Sequence, residues 1–369
     1  MPFIELEDLN CSVFYVINPL EPVTNGLPTD STDIQCAPYD PAKPVLVMFH
    51  ETCFQIASFN KQFSDERLKD AFNLVAISRI HHDRTKYWGD RDYLVTTNDQ
   101  LGCVTAALDA LEFPSFSLLG QGIGGCHMAI GVSIRRQARV TKLILSSPGT
   151  AGSALPASII HSLYDSFKAN KAGKGNNSGK MDRALLLKVI DSLQSEKSRT
   201  TASNYDDYLH DFISLMDLRY GLGTDSWELD QMRDAELQRQ PFSNDLLARI
   251  TIPVLILCGE FDFLNDDDLE AFVAWKSLLK NAGENGAQLH VIVSGFYSII
   301  STCSNITNRF ILQFARTSDG SGRKFSLPET PLLFNSGYIT ADEREQLRKD
   351  GSLLCDSLSS PVVPNEPVQ

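Results

Sequence analysis

The stretch Ser117 to Ile130, SLLGQGIGGCHMAI, passes from an apolar strand-like run through four glycines into a helix-like run. Two chemistries use such a turn. Gly120, Gly122 and Gly125 satisfy GxGxxG, whose glycines let a pyrophosphate approach a helix N-terminus. Gly120 and Gly124 also satisfy the spacing of G-x-S-x-G, a strained strand-to-helix turn that needs tiny residues two before and two after its nucleophile. The central residue here is Gly122, flanked by Gln121 and Ile123, so no hydroxyl, thiol or carboxylate stands at the attacking position. The nucleotide pattern lacks its usual setting. It follows about the fifth strand-like run rather than the first, and the next run ends in Ser146-Ser147-Pro148, with no acid to hold a ribose.

The elements that must position this turn are short apolar runs alternating with longer helical patterns. Val45 to Phe49, Leu74 to Ile77, Phe116 to Leu119, Leu143 to Leu145, Val254 to Leu257 and Val291 to Val293 are apolar on consecutive positions, as in strands covered on both faces. Leu101, Val104, Leu108 and Leu111 form one stripe of a covering helix. The expected fold is therefore α/β, a mostly parallel central sheet flanked by helices, with right-handed crossovers. Phe3 to Leu6 and Ser12 to Ile17 read as an antiparallel edge hairpin. The alternation stops between about Thr150 and Arg249, where helical spacing in Ala184 to Leu193 and Tyr208 to Leu218 suggests a helical insertion. The expected organisation is a core of residues 1–150 and 250–316, a helical cap of 151–249, and a linker, short helix and disordered tail over 317–369.

Of the 369 residues, 46 are Asp or Glu against 33 Lys or Arg, a formal charge of −13 that repels phosphate backbones and anionic lipid heads. Nucleic-acid and membrane partners are not expected. The lysines of KANKAGKGNNSGK (Lys168, Lys171, Lys174, Lys180) lack interleaved aromatics and read as a solvated loop. Eight cysteines lie far apart, without CxxC or Cys/His ligand spacing, so no metal site is expected. The acidic start MPFIELEDLN has no basic segment followed by an apolar run, and no segment reaches eighteen apolar residues. A cytoplasmic protein with reduced thiols is expected.

From about Val45 to Phe314 the chain resembles the α/β-hydrolase fold superfamily, on four motifs in order. LLGQGIGG is similar to the family's LLGHSLGG-like nucleophile elbow, with Gly122 in place of the serine. VLVMFHETCF, Val45 to Phe54, resembles the strand and HG loop that supplies an oxyanion-hole amide, with Glu51 where the family has glycine. NLVAISRIHHDRT resembles the following D-x-R-G-x-G-x-S segment, reduced to Arg79 and a histidine pair. PVLILCGEFD resembles the strand and turn of the triad acid, which makes Asp262 that acid. The family's histidine falls on Phe296 in VIVSGFY, and on Tyr297 if the register slips by one. The resemblance thus implies a capped α/β-hydrolase fold with a degenerate triad.

The catalytic candidates are Asp262, His50, Glu51 and Tyr297, and the pocket candidates Gly122, Gln121, Ile123, Phe296, Cys53, His81 and His82. An oxyanion-type pair of amides is expected from Ile123 and the His50–Glu51 turn, and a carboxylate at 51 beside them opposes developing negative charge. Cys126 reads as an inert filler, and His127, His161, His210 and His290 as structural. Asp266, Asp267 and Asp268 read as helix caps rather than metal ligands. Three functions remain open, none needing a cofactor. The first is a non-hydrolytic lyase, cyclase or isomerase, or an atypical hydrolase, acting on a small, largely apolar molecule under the cap. The others are a non-catalytic pseudohydrolase that binds or regulates, and a nucleotide-binding protein using Gly120–Gly125. No oligomeric state follows from the sequence.

Overall fold

The computed structural model describes residues 3–24, 33–52, 54–149, 157, 160–162, 164–165, 226–261, 274–283, 286–296, 298–316 and 353–355. The apolar runs become the strands of one sheet: β1 (Phe3–Leu6), β2 (Cys11–Ile17), β3 (Val45–Phe49), β4 (Asn73–Ile77), β5 (Lys86–Tyr87), β6 (Phe116–Gln121), β7 (Val140–Ser146), β8 (Val254–Phe261), β9 (Gln288–Phe296) and β10 (Leu353–Cys355). Their order is β1-β2-β4-β3-β6-β7-β8-β9-β10, with β5 alongside β2. The expected edge hairpin is present: Phe3 faces Phe14 and Leu6 faces Cys11 in antiparallel register. β2 also runs antiparallel to β4, and every pairing from β4 to β10 is parallel. β10, parallel to β9, extends the sheet with residues from the segment expected to be linker and tail.

Continuous apolar runs are explained by burial on two faces. Along β3, Val45, Val47 and Phe49 enter one core while Leu46 and Met48 enter the other, the two-residue alternation of a pleated strand. The first core is covered by α3 (Thr97–Ala110) and α4 (Gly122–Arg135). α3 starts at a capping box in which Thr96 and Asp99 satisfy each other's backbone N–H. Its expected stripe is buried at Leu101, Val104 and Leu108, and Leu111 packs at its end. The second core is covered by α2 (Glu66–Ala71), after the one-turn α1 (Asn60–Phe63), and by the last helix, which supplies Ile306, Phe310, Ile311 and Phe314.

Of residues 150–249, the longest described elements are α5 (Ser226–Leu237) and the short α6 (Asn244–Leu247); the two helical patterns read from the sequence there lie outside the described residues. α5 is tied to the segment before α3: Gln231 Oε1 accepts from Val95 N (2.9 Å), and Thr97 Oγ1 donates to Ala235 O (2.9 Å). α7 (Ile299–Thr302) and α8 (Ser304–Arg316) follow β9. Among the described residues no helix is long and apolar enough to cross a membrane.

The chain leaves β3 for β4 on one side and returns through α3 to β6 on the other. The carboxyl ends of β3 and β6 therefore border the switch point at which open α/β sheets form a crevice.

Candidate functional site

The turn from β6 into α4 has the geometry expected of a nucleophile elbow. Gly122 sits at φ +63°, a left-handed backbone that a side chain adopts only under strain. Its neighbours are glycine for steric reasons. A Cβ on Gly120 would lie 2.6 Å from Cys126 Cα, and one on Gly125 would lie 2.2 Å from Phe49 O. One on Gly124 would meet Thr52 Oγ1 at 2.2 Å and Glu51 Oε1 at 2.9 Å. These absences let the start of α4 press against the loop leaving β3.

That loop fills the crevice with side chains. Glu51 Oε1 accepts from Gly124 N at 2.9 Å and also from Thr52 N. Gly124 is the third residue of α4, so the carboxylate caps an otherwise unpaired N–H at the positive end of a helix dipole. This differs from the expected arrangement, in which Glu51 stood beside open amides at Ile123 and in its own turn. The carboxylate is itself the occupant, one amide further along the helix.

Around Glu51 lies a buried charged network. Thr52 Oγ1 donates to Glu236 Oε1 (2.7 Å) and accepts from Arg79 Nη2 (3.1 Å). Glu236 reaches Arg79 Nη1 at 3.8 Å and Arg239 Nε at 3.2 Å, with all three side chains at least nine-tenths buried. Arg79 Nη2 also lies 3.3 Å from His82 Nε2. A guanidinium only donates, so His82 Nε2 accepts, and Nδ1 carries the proton given to Ile80 O at 2.9 Å. His50 Nδ1 lies 2.8 Å from Glu51 O, and its Nε2 is 3.3 Å from Asp83 Oδ2. Asp83 in turn accepts from Ile56 N at 3.1 and 3.2 Å.

His127, in α4, lies against this network. Its ring stacks on Phe242 at 4.4 Å. Burial, and then the charges of Arg239 and Arg79, push its pKa down to about 3, so it is neutral at physiological pH.

The other candidates separate into three groups. His50, Glu51 and His82 lie together at the carboxyl end of β3, with the rings of His50 and His82 5.2 Å apart. Gln121 is buried, but its amide is spent between Ser58 Oγ (2.8 Å) and Ser298 Oγ (2.7 Å), joining β6 to the segment after β9. His81, at φ +66°, packs edge-on against Tyr87 and Trp227. Ile123 is buried beside Gly149. Asp262, Tyr297 and Cys53 lie outside the described residues, as do His210 and Asp266 to Asp268. Phe296 is described only as the last residue of β9, with its backbone opposite Phe261. Among the remaining residues, Cys126 Sγ contacts Gly120 O at 3.2 Å within the core, and His290 stacks on Phe310 at 4.9 Å. His161 is exposed.

Sequence reasoning missed Thr52, Asp83, Glu236 and Arg239. Asp83 carried a signal, since it follows the histidine pair in HHDR. Glu236 and Arg239 carried none, lying in a segment without a motif.

No family model and no curated protein matches this sequence. Solved structures do match in fold. An α/β-hydrolase enzyme from a Medee basin deep-sea metagenome library superposes with TM-score 0.59 at 15% identity, over 83% of this chain and 95% of that one. A carboxylesterase structure from Nitrososphaera gargenis superposes with TM-score 0.59 at 15% identity, over 85% and 97%. The enol-lactonase of Burkholderia xenovorans does so with TM-score 0.57 at 11% identity, over 86% and 100%. This chain has the α/β-hydrolase fold. At such identities the likeness carries architecture and not activity.

Proposed function

We propose that this chain is a non-hydrolytic α/β-hydrolase-fold protein, a binding or regulatory pseudohydrolase with a degenerate triad. One observation carries the proposal: Glu51 places a carboxylate on the amides of Gly124 and Thr52, at the helix start beside the elbow. Acyl transfer by this fold needs preorganised donors for a growing negative charge. A resident carboxylate repels that charge and has taken two of the nearby donors. Gly122 supplies no nucleophile, and on the motif register neither does Phe296 supply a base. Asp262, the remaining triad position, would have no imidazole to orient.

The same carboxylate weakens the nucleotide alternative. A pyrophosphate at this helix start would meet Glu51 instead of open N–H groups, and Gly125 packs its bare face on Phe49 O. A lyase or isomerase role for Glu51 also loses support, because its Oε1 is engaged by two amides. The ligand of this reading is the small, largely apolar molecule expected from the sequence.

A fluorophosphonate probe and p-nitrophenyl acetate test the proposal. The unmodified protein is expected to remain unlabelled and inert, and so is Gly122→Ser alone. Gly122→Ser combined with Glu51→Gly and Phe296→His is expected to gain labelling, because it restores nucleophile and base and removes the opposing carboxylate together. Stoichiometric labelling of the unmodified protein, or an acylation burst from it, overturns the reading.

A further inference from the structure

We propose that Cys11 and Cys103 form a reversible oxidation site, a dithiol that closes to a disulfide when an oxidised low-molecular-weight thiol such as glutathione disulfide reaches it. Cys11 begins β2 and Cys103 lies within α3, 92 residues apart in sequence, yet their sulfurs are 3.5 Å apart. That is van der Waals contact. Bond formation requires a further approach of about 1.5 Å.

The two thiols are unequal. Their contact lowers the pKa of Cys11, whereas contact with Cys11, burial and nearby negative charge raise that of Cys103. Cys11 lies on the edge hairpin and is the thiol that an opening there exposes, so it is the first nucleophile. Its thiolate attacks glutathione disulfide and releases one glutathione thiolate. Cys103 Sγ, giving up its proton, then attacks the Cys11 sulfur and displaces the second glutathione. In sum, two protein thiols and one glutathione disulfide become one protein disulfide and two glutathione thiols.

Both cysteines are buried, at 0% and 3% exposure, so entry needs a local opening. The strand register supplies one. Cys11 pairs only with Leu6 of β1 and Tyr87 of the two-residue β5, whereas β2 joins the main sheet through Tyr15 to Ile17. The start of the hairpin can fray without breaking the sheet, as peripheral units do. Once formed, the bond ties this edge hairpin to α3 and removes a long loop from the unfolded chain's freedom.

The experiment incubates the full chain with glutathione disulfide, alkylates the remaining thiols, cleaves after Asp and Glu so that Cys11, Cys36, Cys53, Cys103 and Cys126 fall in separate peptides, and maps the non-reduced peptides by mass. The expected product joins the peptides of Cys11 and Cys103, two hydrogens lighter than their sum. It is reversed by dithiothreitol and accompanied by a Tm increase of roughly 5 °C or more. In Cys103→Ala, Cys11 is expected to stop at the glutathione adduct. Cys36, which is free and exposed, is the internal control for oxidant action. Recovery of alkylated Cys11 and Cys103 while Cys36 carries glutathione overturns the proposal, as does a Cys11 adduct in the unmodified protein that never passes to Cys103.

Discussion

The turn after β6 is made of backbone, with glycine at 120, 122, 124 and 125, whereas the turn after the adjacent β3 fills the same crevice with the side chains of His50, Glu51 and Thr52. In an acyl-transfer site of this fold the materials are the reverse: the elbow carries the reactive side chain and the neighbouring loop offers bare amides. Here the backbone geometry of the elbow stands intact, with Gly122 at φ +63°, while the charge comes from the other side. Turn geometry is set by sterics, and it can exist without the chemistry it positions elsewhere.

Breaking the backbone side of this comparison has the largest expected effect. In Gly125→Ala the new Cβ would meet Phe49 O at 2.2 Å, and a backbone oxygen inside β3 cannot give way. A loss of about 3 kcal/mol is expected, read by urea denaturation or as insoluble protein on expression. A variant as stable as the parent would show that α4 does not press on β3 as described.

Breaking the side-chain side comes next. Glu51→Ala leaves the N–H groups of Gly124 and Thr52 without their acceptor, at a cost of about 2 kcal/mol. Glu51→Gln keeps an acceptor oxygen and loses only the charge at the helix start, so about 1 kcal/mol is expected. Equal losses in the two variants would mean that the charge, not the hydrogen bonding, holds Glu51 in place. Gly122→Ala, which adds a Cβ at a left-handed residue, is expected to cost a similar amount, about 1 kcal/mol, without any gain of esterase activity.

The sequence revealed these two sides unequally. The sheet was legible because strands buried on both faces appear as unbroken apolar runs, such as VLVMF at 45–49 and LVAI at 74–77, whose residues are all buried. The elbow was legible because only glycine fits where backbones touch. Glu51 stood out as a carboxylate in a loop that resembled a glycine loop, but its direction did not follow. Whether it faces solvent, substrate or the start of α4 depends on the fit between β3 and β6, which lie about 70 residues apart in sequence. Glu236 was silent for a related reason: its contacts to Arg79 and Thr52 join distant segments, and its local i,i+3 pairing with Arg239 does not reveal them. The strand Leu353–Cys355 was likewise hidden, because three residues are too few to display alternation.

The subtlest test of the charged side is its pH dependence. An unfolded histidine gains its proton near 6.5, whereas His127 in the fold gains it only near pH 3. Between those values the unfolded chain binds more protons, so stability is fully present above pH 6.5 and declines as pH falls toward 3. The limiting slope is about 1.4 kcal/mol per pH unit, and partial exposure of the ring reduces the expected loss to about 1 kcal/mol at pH 5. Asp65, held down to about 2 chiefly by its bonds to Arg67 and Asn308 against the opposing effect of burial, adds its own acid-dependent loss only below 3.8. Denaturation midpoints compared between pH 7 and pH 5 therefore exclude Asp65, and the difference between parent and His127→Phe separates His127 from the other histidines. His127→Phe keeps a ring against Phe242 and removes the titration, so its midpoint is expected to vary less over that range. If the variant loses as much stability as the parent, the cations Arg79 and Arg239 are not what His127 senses, and the network above the elbow is more open to water than its burial implies.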